Sequence, residues 1–193
     1  MDCHLDCHYK SEIFNWVKAI AMNTEELKQR YQSGERNFSQ THLNQTNLQR
    51  LKLGAVDLSR ASLVKSNLQK VNLEDANLDG VNLYRANLSK SRLQRVNLNK
   101  AILGGANLSE ANLHRASLIQ ADLCAANLSK AVLNHAQLSG ADLRKANLSH
   151  ARLSWANLRK VNLHQAQLEG ADLSDAKFCN TIMPDGSLRN DDC

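Results

Sequence analysis

Through most of this 193-residue chain one residue type recurs at a fixed interval: from Phe38 to Phe178 every fifth position is Leu, with Phe at the two ends. The register holds for 29 positions without a break, and 27 of them are Leu. Two residues before each stands a small or branched side chain; 18 are Ala, and the others are Val, Ser or Thr apart from Arg36 and Leu51. One residue before, 18 of the 29 are Asn or Asp. A tandem pattern of that length decides the architecture ahead of any local propensity.

A period of five suits neither ordinary element. Round an α-helix it advances the leucines by a net angle of about 140°, so they spiral over every face and leave no core stripe. In a strand an odd period sends successive leucines to opposite sides. The chain must therefore turn once per repeat. Four five-residue sides make one square coil, with each Leu and the small residue two before it pointing inward, and stacked coils pair their backbones as parallel strands do. No single coil buries enough to fold alone, so neighbours share the stability. Asn or Asp is unfavourable inside a strand, but at a corner its side chain bonds the local backbone.

Runs such as Ala106-Asn107-Leu108-Ser109-Glu110-Ala111-Asn112-Leu113 and Ala121-Asp122-Leu123 resemble the A(D/N)LXX consensus of pentapeptide repeat proteins. The resemblance implies an all-β chain folded as a right-handed quadrilateral β-helix, with residues 36–180 forming about seven coils, a column ~35 Å tall. It also implies a non-catalytic binding role.

The two ends of such a column are open edges that need covering. Asn23 as N-cap, Glu26 three residues later, Leu27 and Tyr31 on one face and Gly34 as a stop predict a short capping helix within residues 23–35. This stretch, from Met22 through Arg30-Tyr31 to Phe38, also resembles the start of many cyanobacterial members of the family. Residues 1–22 read as an upstream extension or an extra helix, with Ile13, Trp16, Val17 and Ile20 at helical spacing. At the far end Pro184 and Asp185-Gly186 turn the chain out of the coil, and residues 181–193 read as that turn and a mobile tail.

Composition narrows the function classes. Hydrophobic residues make up 42% of the chain but aromatics only 4%, and Pro occurs once, so this is not a proline-rich disordered chain. No stretch of 18 apolar residues occurs, and the N-terminus lacks the basic-then-apolar order of a secretory signal; the expectation is a cytoplasmic protein with no membrane association. Five Cys, an odd number scattered through the chain, predict reduced thiols rather than a disulfide framework. Cys3-His4 and Cys7-His8 sit too close together for ordinary zinc spacing, so no metal is expected. The chain carries no phosphate-binding Gly-rich loop, nucleophile elbow or metal-binding helix motif, and a column filled by Leu offers no deep cleft. No catalytic residue, enzyme activity or cofactor is expected.

Grouping positions twenty apart assigns outward residues to four faces, whose net charges are +3, +2, +2 and +1 for those beginning at Phe38, Leu43, Leu48 and Leu53. On the Leu48 face Arg50, Lys70, Lys90 and Lys130 share a row with Glu110 and His150. That row reads as a track for an anionic partner, or as solvated side chains with Glu110 relieving the repulsion. On the Leu53 face Arg95, Arg115, His135 and Trp155 share a row, with His114 beside it. An outward Trp beside Arg and His suits cation–π stacking or the anchor of a protein interface. The Leu43 face presents a less polar strip of Val64, Tyr84, Ile102, Cys124 and Ala125.

The leading expectation is thus a non-enzymatic protein–protein interaction module or scaffold, regulatory in character, monomeric, with an end-to-end dimer as the alternative state. The second reading is the DNA-mimic, gyrase-binding branch of the family, which needs acidic faces where this chain has basic ones. The third is weak nucleic-acid binding through the basic row, disfavoured by a net charge of only +5 and few outward aromatics.

Overall fold

The computed structural model describes residues 22–193. The upstream helical pattern and the Cys3-His4 and Cys7-His8 pairs lie outside the described residues.

Parallel bridges join residues twenty apart in an unbroken series from Asn37–Asp57 to Asn162–Ile182. A coil is therefore four pentapeptides, and the chain forms a β-helix. The repeat Ala106–Glu110 shows why the backbone closes this way. Leu108 and Glu110 donate their N–H groups to the carbonyls of Asn127 and Ser129 on the next coil, at 2.7 and 2.9 Å, and Asn107 donates to Ala86 on the previous one at 2.9 Å. Ala106 closes a turn onto the Leu103 carbonyl at 2.9 Å, as Ala111 does onto that of Leu108 at 3.0 Å. The remaining amide, Ser109, donates to Oδ1 of Asn107 at 3.1 Å. Every N–H of the repeat has an acceptor, which is what a stacked backbone requires.

The corner residue that ends each repeat is left-handed in all 29 copies, with φ between +51° and +72°. The first central residue of the same turn has no positive φ, which is the sign pattern of φ in a type II turn. Gly fills only four of these corners, Gly80, Gly105, Gly140 and Gly170; Lys, Arg, Gln, His and even Trp155 take the same conformation. Each such corner costs about 1 kcal/mol, and it is the ladder above and below that enforces it.

All 18 Asn or Asp residues before the central position accept the N–H two residues on, as Asn107 does. Inside, 25 of the 27 central leucines are buried to 2% exposure or less; the exceptions are Leu168 and Leu173, which are only partly covered. Inward hydroxyls are satisfied too, Ser66 donating to the Leu43 carbonyl at 2.7 Å and Ser91 to that of Leu88 at 2.6 Å.

At the N-terminal end α1 spans Thr24–Gln32, and Oδ1 of Asn23 accepts the Glu26 N–H at 2.8 Å. Leu27 is buried in the core. Tyr31 donates its hydroxyl to the Gly54 carbonyl at 2.8 Å, and Met22 its N–H to that of His42 at 3.1 Å. Both donors stand where the amides of a preceding coil would be.

The C-terminal tail differs from expectation. Two short antiparallel strands, β1 (Thr181–Ile182) and β2 (Leu188–Arg189), fold it back. Asp192 Oδ2 then accepts the Phe178 N–H at 2.7 Å and Asn190 Oδ1 the Asn180 N–H at 2.6 Å. The tail is held rather than mobile because these side chains replace carbonyls of a missing coil, and the Arg189 guanidinium stacks 3.6 Å above the centre of the Phe178 ring. Reduced thiols are likewise corrected: Cys179 and Cys193 form a disulfide, their Cα atoms 4.9 Å apart. Folding the tail back brings together two cysteines that share no register.

Candidate functional site

On the Leu53 face Arg95, Arg115, His135 and Trp155 fall in one column because corner residues twenty apart stack directly, with His114 in the adjacent row. Trp155 is 54% exposed, and its ring lies on that of His135, centroids 6.2 Å apart and planes 14° from parallel. His135 in turn meets the edge of His114 at 5.6 Å and 86°. His114 is held below the usual histidine range, first by its burial and then by the charges of Arg115 and His135. The three rings thus form a stepped platform on one wall.

The two arginines of the row differ in kind. Arg95 is tied to the coil before it, donating to both oxygens of Asp75 at 2.7 Å and to Glu74 at 3.0 Å; Arg92 donates to Glu74 as well, at 3.0 Å. Arg95, expected to line the face with Arg115, has its charge already used. The signal was present, since Asp75 stands twenty residues before Arg95 on the same corner. Arg115 has no carboxylate partner among the described residues. Next to His114 in its own row, Gln94 and Asn134 each keep a buried side-chain oxygen that accepts no hydrogen bond from the described residues.

On the Leu48 face Arg50, Lys70, Lys90 and Lys130 all occupy left-handed corners. The row is interrupted where Lys90 pairs with Glu110 at 3.5 Å. Both side chains are half exposed, so the pair contributes little to stability, but it divides the positive track. On the Leu43 face Cys124 is buried, and the Tyr84 ring lies across Gly104, where an added Cβ would meet it at 3.4 Å. The apolar strip there is narrower than the sequence suggests, and Ile102 is its most exposed large side chain.

Comparison with known proteins matches the family profile described as Pentapeptide repeats over residues 91–129, 106–144 and 146–185, and the one described as Pentapeptide repeat region over residues 35–103. Among solved structures, HetL, a pentapeptide repeat protein involved in heterocyst differentiation regulation from the cyanobacterium Nostoc sp. strain PCC 7120, is 30% identical. The match covers 87% of this chain and 100% of HetL, with a TM-score of 0.34. Rfr23 from the cyanobacterium Cyanothece 51142 is 26% identical over 83% of this chain and 98% of its own, with a TM-score of 0.33. Trypsin-treated QnrB1, a plasmid-mediated fluoroquinolone resistance protein, is 18% identical over 76% and 86%, with a TM-score of 0.47. No curated protein sequence matches.

Proposed function

We propose that this chain, which belongs to the pentapeptide repeat family, is a non-enzymatic module that binds a protein partner through the Trp155 face. Its framework is a right-handed quadrilateral column of about seven coils, closed by α1 at one end and partly by the folded tail at the other. The observation that carries the reading is Trp155 itself, 54% exposed. Solvent exposure of so large an apolar side chain on a rigid corner suits an interface anchor, where Trp and Arg are enriched, and Arg115, two coils away in the same row, has no carboxylate partner among the described residues. The 30% identity to HetL, described as involved in heterocyst differentiation regulation, supports a regulatory or scaffolding role. The monomer and the cytoplasm belong to the same proposal; size-exclusion chromatography with light scattering tests the first and cell fractionation the second.

A cross-linked pull-down comparing the native chain with an Arg115→Ala, Trp155→Ala variant of equal melting temperature tests the face. Loss of a specific partner in the variant supports the reading, and recovery of the same partners by both overturns it. Arg95 stays unchanged in the variant because it braces Glu74 and Asp75.

A further inference from the structure

The folded tail covers only half of the last coil. It supplies acceptors for Leu163 and Gln165, through the carbonyls of Ile182 and Pro184, and for Phe178 and Asn180 through the side chains of Asp192 and Asn190. Between them the N–H groups of Leu168, Gly170, Leu173 and Asp175 have no acceptor among the described residues. In every earlier coil the equivalent amides donate to the next one. The same two sides hold Leu168 and Leu173, the central leucines that are not fully buried. Donors in ladder register beside partly covered apolar side chains are the requirement for adding a strand.

Charge selects what can be added. Glu169, Asp172 and Asp175 surround the strip and are exposed. From Ala166 to Cys193 six acidic side chains stand against Lys177 and Arg189, a net −4 on a chain whose total is +5. A second copy meeting this end with its own would set like charges together, and the opposite end is already occupied by Met22 and Tyr31. We infer that the open edge at Leu168, Gly170, Leu173 and Asp175 takes an extended, basic segment of a partner protein as an added side of the coil. This site is separate from the Trp155 face and stands or falls without it.

The test is residue-resolved amide exchange of the full chain with two synthetic peptides of matched backbone pattern. One has the sequence of residues 86–95, with Lys90, Arg92 and Arg95 giving +3; the other has that of residues 71–80, with Glu74, Asp75 and Asp79 giving −3. The basic peptide is expected to slow exchange at the four open amides by about tenfold when present at about ten times its Kd, leaving Leu108 unchanged, and the acidic peptide to slow none. A Glu169→Lys, Asp175→Lys variant, which brings this end to neutrality, should abolish the preference; Lys already occupies the corner position of Asp175 elsewhere, as at Lys145 and Lys160. Equal protection by both peptides, or by neither, overturns the proposal. Slowing that follows protein concentration alone also overturns it, making the occupant a second copy.

Discussion

Asn99 reaches one coil up to accept the backbone N–H of Ile119 on its Oδ1 at 2.9 Å, while the Ser117 hydroxyl donates to the same oxygen at 2.6 Å. Ile119 belongs to one of the repeats with Ser, here Ser117, where most have Asn or Asp, so its amide lacks the usual acceptor two residues before. Asn44 does the same for Val64 and Ser62, at 2.9 and 2.6 Å. An amide left open by one coil is closed by a side chain of its neighbour. Asn99→Ala should therefore cost about 1 kcal/mol in urea unfolding, and adding Ser117→Asn, which restores the local acceptor, should recover most of it. Purely additive losses in the double variant would refute the exchange of roles.

Burial along the column predicts a gradient of sensitivity. Leu108 is fully buried with coils on both sides, whereas Leu168 faces the open edge. Leu108→Ala should destabilise by about 3 kcal/mol through lost burial and an unfilled cavity, and Leu168→Ala by less than about 1 kcal/mol, since less apolar surface is removed from contact. Equal losses in chemical denaturation would place a covering element over that end.

The carboxyl of Asp172 is held down to about 2 by the hydroxyls of Ser154 and Ser174 and then the Ser174 N–H. Its folded value lies below the unfolded one of about 4. The stabilisation is thus present above about pH 4 and is lost as pH falls through about 2. Ser154→Ala removes the first of these donors and should raise the NMR titration midpoint of Asp172. A midpoint that stays in place would assign the depression elsewhere.

The Cys179–Cys193 disulfide closes a 14-residue separation and pins Asp192 and Asn190 against the Phe178 and Asn180 amides. Loops of that size contribute about 3 kcal/mol in the chain-entropy account. Here the effect should be local: reduction by a dithiol, or Cys193→Ser, should speed amide exchange at Phe178 and Asn180 and leave Leu108 untouched. Unaltered protection at both would show that the side-chain contacts and the Arg189–Phe178 stack hold the tail unaided.

The period of five carries the coil, the inward Leu and small residues, and the grouping of faces, because each follows from packing geometry that repeats every twenty residues. The helix start was equally readable in Asn23 and Glu26. The left-handed corners were hidden, since Lys, Arg and Trp155 stand where a lone turn would favour Gly, and only the stacked ladder enforces the conformation. The Asp75–Arg95 pair could have been found by reading charges twenty apart. Asn44 and Asn99 could have been found eighteen residues before Ser62 and Ser117. The tail gave no such signal: once the chain leaves the register, nothing in the spacing of Cys179 and Cys193 says that they meet.

The most direct test of the binding face is photo-crosslinking in native lysate from a reactive residue at position 152, beside Trp155, compared with one at position 120 on another face. One polypeptide should be captured from position 152, lost on Trp155→Ala, and absent from position 120. Capture of the same species from both positions, capture that survives Trp155→Ala, or no capture at either position would contradict the assignment of this face to a protein partner.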